Sequence, residues 1–89
     1  MITVHLPSDL AAKFQTSSDI ALSAATLGEM VAALDGLHAG LGHWLVEVDG
    51  RVRPHLALFV AGERMERAAA ATALPDGADI WVIRAVSGG

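Results

Sequence analysis

Few side chains in this sequence are able to do covalent chemistry, and the most distinctive group stands last: Ser87-Gly88-Gly89. These residues offer little bulk to pack and high backbone entropy. They follow directly on Ile80-Trp81-Val82-Ile83, an apolar run rich in β-branched and aromatic residues, which suits a buried strand. A buried strand that runs straight into a bare Gly-Gly carboxylate is expected to present that carboxylate, with Gly89 as the reacting residue and Ser87 and Gly88 leading to it. Other sets offer less. His5, His38, His43 and His55 are dispersed, and none has a paired carboxylate at ligand spacing, so no metal site is expected. Ser-His-Asp combinations lack a nucleophile elbow. There is no cysteine, which excludes disulfides, thiolate metal sites and a cysteine nucleophile within these residues. Any sulfur chemistry must therefore use a partner's thiol. Lys13 is the only lysine, so an isopeptide bond to this chain has just that side chain and the N-terminus available.

Length and composition bound the scaffold. Eighty-nine residues make one domain with room for one sheet and one or two helices. An apolar fraction of 53% supports a core and argues against disorder. No apolar run approaches the roughly 20 residues of a membrane span, and no basic-then-apolar signal pattern opens the chain. A net charge of -4 argues against a general nucleic-acid binder, which usually carries a basic patch. A soluble cytoplasmic domain is expected. Arg51, Arg53, Arg64, Arg67 and Arg84 make the later half locally basic. A solvated face accounts for most of them, and some can meet acidic rims on partners.

The elements that must hold the tail follow from periodicity. Ile2-Thr3-Val4-His5-Leu6 alternates, giving a strand with Ile2, Val4 and Leu6 inward, closed by Pro7. Residues 10–18 read as a loop with one helical turn at Leu10-Ala11-Ala12. Residues 19–23 alternate again, and two strands joined by a loop are expected to pair antiparallel. Thr26-Leu27-Gly28-Glu29 is a capping box, with Glu29 reaching back to the Thr26 amide. Leu27, Met30, Val31, Leu34 and Leu37 form one helical stripe, and Gly40 fits a C-cap glycine. A further helical turn at residues 41–45 would turn Leu41, Trp44 and Leu45 inward. Asp49-Gly50 marks a turn. Residues 55–60 read as the third strand with Leu56, Leu58 and Val60 on one face, Ala61-Gly62 as a turn, and residues 63–65 as a short fourth strand. The alanines of residues 66–73 favour a short helix. Pro75-Asp76-Gly77 then turns the chain into the last strand. One helical stripe needs one sheet face, which points to a two-layer α+β fold with a mixed sheet of about five strands.

Leu58-Phe59-Val60-Ala61-Gly62-Glu63, Leu74-Pro75-Asp76-Gly77-Ala78-Asp79 and the run into Ala85-Val86-Ser87-Gly88-Gly89 together resemble the ubiquitin-like sulfur carriers of the MoaD/ThiS type. The helix opening Thr26-Leu27 and Val52-Arg53-Pro54-His55 fit as well. The resemblance covers nearly the whole chain and implies the β-grasp fold over residues 1–86, with residues 87–89 as a flexible tail. One departure concerns the hairpin, where many relatives have Asn or Asp in place of Ala61. Since Ala disfavours positive φ, a type I′ turn is not expected, and a turn with only Gly62 at positive φ is.

The chemistry implied by the resemblance suits such a tail. An E1-like partner joins the Gly89 carboxylate to AMP from ATP, sulfur displaces AMP, and a thiocarboxylate remains. The chain is then a protein co-substrate and not an enzyme, with no bound cofactor. Its partners are the E1-like adenylating enzyme and a sulfur-accepting biosynthetic enzyme, with no nucleic acid and no membrane. The acceptor pathway stays open among molybdopterin, thiazole, cysteine, a specialised metabolite and thiolated tRNA. Two alternatives compete: a ubiquitin-like modifier whose Gly89 ends on a target lysine, and a non-reactive β-grasp interaction module.

Two further expectations concern packing. Val4, Leu22, Leu27, Val31, Leu34, Leu58, Val60, Ile80 and Val82 should form the core. If Leu58, Val60, Ile80 and Val82 point inward, strand alternation turns Phe59, Trp81 and Ile83 outward. On neighbouring strands these three make one apolar patch beside the tail, a docking surface with Trp81 as its anchor.

Overall fold

The computed structural model describes residues 1–65 and 68–84. Their elements run β1 (Ile2–His5), α1 (Ser8–Lys13), β2 (Asp19–Leu22), α2 (Leu27–Leu37), α3 (Leu41–Leu45), β3 (Leu56–Val60), β4 (Glu63–Arg64) and β5 (Asp79–Arg84). The five strands form one mixed sheet in the order β2-β1-β5-β3-β4. β1 and β5 pair in parallel, and the other neighbours pair antiparallel. Parallel neighbours need a long crossover, and the helices between β1 and β5 provide it. This is the β-grasp arrangement.

Alternation settles the two faces of the sheet. Ile2, Val4, Leu22, Leu56, Leu58, Val60, Ile80 and Val82 are buried in one cluster with Leu27, Met30 and Leu34 of α2. Each fully buried side chain of this kind contributes about 1.5–3 kcal/mol relative to exposure. Val31 is only partly buried at the edge of this cluster, and Leu37 is 58% exposed, so the stripe on α2 is narrower than its sequence spacing suggests. Leu41 and Leu45 of α3 are buried as expected, but Trp44 is 41% exposed. A helix of five residues buries only the side facing its support, and Leu41 and Leu45, four apart, define that side.

Several local features depart from the sequence reading for definable reasons. The single helical turn read at Leu10-Ala11-Ala12 is part of a longer, six-residue helix, α1, with Leu10 and Ala11 buried, Asp9 in its first turn and Lys13 in its last. Those charges suit the helix dipole, but two adjacent buried residues make no visible repeat. The Thr26 hydroxyl caps α2 by accepting from the Glu29 amide at 3.2 Å, whereas the Glu29 carboxylate returns to the Ala25 amide at 3.0 Å and not to Thr26. His38, not Gly40, closes α2. Gly40 instead opens α3 at φ +93°, and its amide and that of Gly42 both donate to Asp35 Oδ1. Asp35 thereby ties the α2–α3 corner.

Residues 68–73 are not helical. Their carbonyls serve α2 instead: the Leu27 amide donates to Thr72 O and the Gly28 amide to Ala70 O, both at 2.9 Å. These amides are among the donors a helix N-terminus leaves unpaired, so satisfying them outweighs the alanines' helix preference. Gly28 permits the approach, since a Cβ there would lie 3.1 Å from Ala70 O.

The β3–β4 hairpin also differs. Val60 pairs with Glu63, leaving Ala61-Gly62 as a two-residue loop with φ of 50° and 85°. Both are positive, as a type I′ turn requires. A two-residue loop must match the strands' right-handed twist, and that requirement overrides the steric preference of Ala61. Finally, β3 starts at Leu56, because Pro54 and His55 lie in a turn closed by the Leu56 amide on Arg53 O at 2.9 Å.

Candidate functional site

The outer face of the sheet, opposite the helices, carries one continuous row of side chains. Cα pairing links Asp19 of β2 to His5 of β1, His5 to Trp81 of β5, Trp81 to Phe59 of β3, and Phe59 to Arg64 of β4. Every strand contributes one residue. Trp81 is 47% exposed and Ile83, two residues further along the same face of β5, is 43% exposed. Phe59 is half-buried between them and the hairpin. The expected outward placement of all three is therefore what the strands produce. The aromatic pair is central and Ile83 extends the apolar surface toward Arg84, where β5 ends. Arg84 itself is ion-paired with Asp9 of α1, and the guanidinium holds the Asp9 carboxyl below its ordinary range.

Beside the aromatic pair lies an arrangement the sequence reading did not find. The His5 ring stacks on the Trp81 indole, with centroids 4.0 Å apart and planes 14° from parallel. Its Nδ1 is 2.7 Å from Asp19 Oδ1 and its Nε2 is 2.9 Å from Asp79 Oδ1. Only the doubly protonated imidazolium donates at both nitrogens, so this geometry selects the cation. The Asp79 hydrogen bond raises the His5 pKa most; partial burial opposes it, and the Asp19 hydrogen bond and both carboxylate charges add to the rise. In sequence the three residues are far apart, and only the polar side of the alternation at His5 and Asp79 marked them as sharing a face.

The other singled-out residues spread over the surface. Arg53 Nε donates to His43 O at 2.8 Å and its Nη1 lies 3.4 Å from Glu47, while Arg51 lies 3.8 Å from Asp49. Lys13 Nζ sits 5.0 Å from the Trp44 ring centre, a cation–π contact away from the Trp81 face. Among the described residues no group of three or more His, Cys, Asp or Glu side chains is placed to hold a metal ion, and no helix is long and apolar enough to cross a membrane. Arg67 and the tail residues Ser87, Gly88 and Gly89 lie outside the described residues.

No family model and no curated relative matches the sequence. Solved structures do match. CysO in the BexX/CysO complex of Amycolatopsis orientalis superposes with a TM-score of 0.83 at 22% identity, covering 100% of both chains. CysO of Mycobacterium tuberculosis gives 0.84 at 24% identity, over 97% of this chain and 100% of that one. SAMP1 of Haloferax volcanii gives 0.72 at 27% identity, over 99% and 98%. The chain is a ubiquitin-like protein of the β-grasp fold. Within that class its neighbours are CysO and SAMP1, in keeping with the resemblance to sulfur carriers of the MoaD/ThiS type.

Proposed function

We propose that this chain is a sulfur-carrier protein activated at Gly89. The observation that carries the reading is the solvent-facing Phe59–Trp81 pair, extended by Ile83, on the strand whose sequence continues into Gly88-Gly89. An exposed aromatic anchor on a rigid sheet is what a partner needs to grip the domain while it works on a slender tail. Support comes also from the neighbours, among them CysO solved in complex with BexX, and a small archaeal modifier protein.

The chemistry divides between the chain and its partners. A carboxylate resists nucleophilic attack, because its charge and resonance stabilise it. An E1-like enzyme brings the Gly89 carboxylate to the α-phosphorus of ATP, forming an acyl-adenylate and releasing pyrophosphate. Sulfide then attacks the acyl carbon, AMP leaves with the C–O bond electrons, and a thiocarboxylate remains on Gly89. Where the sulfur arrives as a persulfide, a thiol must cleave the resulting acyl disulfide. The protein contributes the docking face and a tail whose glycines let an active site close around the backbone. It acts as co-substrate, ATP belongs to the activating partner, and a biosynthetic enzyme accepts the sulfur.

A second reading, a ubiquitin-like modifier, is favoured by the likeness to small archaeal modifier protein 1. Intact-mass measurement on the protein from its own cell separates the two. A free chain heavier by the difference between sulfur and oxygen supports the carrier, and a ladder of conjugates to other proteins supports the modifier. Neither species, with no pyrophosphate exchange by an E1-like enzyme, overturns both.

A further inference from the structure

The row Asp19–His5–Trp81–Phe59–Arg64 spans all five strands, yet only its centre is apolar. The clamp at its β2 end is built with unusual economy. Among the described residues His5 is the partner that closes both carboxylates: Asp19 reaches it from β2 and Asp79 from β5, and these are the charged groups there that face the ring. Only 14% of the His5 side chain is exposed, because the indole covers one of its faces. An exposed tryptophan on a flat sheet would otherwise have freedom about both its side-chain torsions. Here a parallel ring, fixed at both nitrogens, forms a platform for it.

We propose that His5 is a positioning residue for the docking face: clamped between Asp19 and Asp79, it holds the Trp81 indole in its binding orientation and makes docking of the activating partner weaken when the ring loses its proton. The inference rests on the carrier reading for its partner and on the His5–Trp81 geometry for its mechanism. With the imidazolium in place, the two carboxylates and one cation leave the β2 end of the face with a single net negative charge. Loss of the proton changes three things together. One ring nitrogen turns a lone pair toward a carboxylate, the stacked cation over the indole is lost, and the face gains a second negative charge. A partner suited to the protonated face presents an apolar pocket to Trp81 and Phe59 and an uncharged rim toward Asp19 and Asp79, where a second uncompensated carboxylate charge is costly to desolvate.

The chain's two tryptophans make the test direct, since Trp44→Phe leaves Trp81 as the only indole. In that background the Trp81 fluorescence and indole NMR signal are followed from about pH 5 to about pH 9, alongside the His5 ring signals. Trp81 is expected to change with the same midpoint as His5, and His5→Phe, which keeps a ring on the indole but no proton to lose, is expected to abolish that change. In pyrophosphate exchange with an E1-like enzyme, His5→Gln should raise the KM for this chain about two- to fivefold, the factor carried by a cation–π contact of ordinary strength, with kcat unchanged. His5→Phe should flatten the dependence of KM on pH relative to wild type.

Trp81 signals that stay constant while His5 titrates overturn the proposal, as does a KM indifferent to His5→Gln. If the wild-type chain is not adenylated at all, the carrier reading fails and the spectroscopic arm alone decides whether His5 positions Trp81. If His5→Gln proves unstable, the pH profile of the folded wild type still decides.

Discussion

Phe59 and Trp81 are direct partners across the β3–β5 ladder, both on the sheet face that the helices leave uncovered. Their burial differs. Trp81 is about half exposed, while Phe59 is half-buried and shares more of its surface with the protein itself. Removing the two rings should therefore have unequal consequences. Trp81→Ala should weaken binding to the activating enzyme by about 1–2 kcal/mol or more with little change in thermal stability. Phe59→Ala should weaken binding similarly and also lower stability. Calorimetric titration of the folded variants measures this, and unchanged affinity in both moves the docking site elsewhere.

The core makes a contrasting pair. Leu58 is buried in the main cluster, while Val31 packs at its margin. Leu58→Ala should cost about 2–4 kcal/mol through lost burial and the cavity left behind. Val31→Ala should cost clearly less, because solvent already reaches the site. Denaturant unfolding of both variants gives the comparison, and equal costs would contradict the partial burial of Val31.

The alternating strands and the stripe on α2 were legible from residue type because burial on one face writes a period of two or 3.6 into a sequence. Leu56, Leu58, Val60, Ile80 and Val82 point inward as alternation requires, and Phe59, Trp81 and Ile83 follow outward. What stayed hidden depends on distant partners. The alanines of residues 68–73 favour helix locally, but the amides of Leu27 and Gly28 take their carbonyls. Likewise, no local pattern brings His5, Asp19 and Asp79 together; the parallel pairing of β1 with β5 does.

Ala61 stands at φ 50°, a conformation an L-residue adopts at a cost of about 1–2 kcal/mol. Ala61→Gly relieves that strain but adds freedom to the unfolded chain, which offsets part of the gain. The expected net effect is stabilisation by about 1 kcal/mol or less, a rise in Tm of a few degrees for a domain of this size. Ala61→Asn should do as well or better, since its side chain tolerates this region. A fall in Tm for both would show that the alanine methyl contributes packing that outweighs the strain.

Stability should depend on pH with opposite signs at His5 on the alkaline side and at Asp9 and Asp76 on the acid side. The His5 pKa is raised in the folded chain, chiefly by Asp79, above its ordinary 6.5. The folded state thus binds the proton more tightly, so the stabilisation is complete below 6.5 and is lost as pH rises through the folded value. The Asp9 pKa is lowered by Arg84 from 3.8, so its contribution is present above 3.8 and is lost as pH falls through the folded value. His5→Gln should remove the alkaline loss, and Asp9→Asn should lessen the acid one, leaving the part that Asp76 carries through its pairing with the Met1 amino group. Chemical unfolding across the pH range checks both, and an alkaline loss that persists in His5→Gln assigns it to another group.

Deleting Gly89 should separate function from folding. The core is closed by β5, whose buried residues Ile80 and Val82 lie well before the tail, and Gly88 and Gly89 have no side chains to add to it. The Tm should therefore be nearly unchanged. Adenylation should nonetheless be abolished, because the carboxylate moves back by one residue, about 3.5 Å of extended chain, while the docked face stays where it is. An active site that holds the α-phosphate of ATP in line with the carboxylate cannot absorb a displacement of that size. Ser87→Ala, which leaves the length of the chain intact, should remain a substrate. Pyrophosphate exchange with wild type, the Gly89 deletion and Ser87→Ala gives the comparison. Normal exchange by the deletion variant would show that the reacting group is not the Gly89 carboxylate.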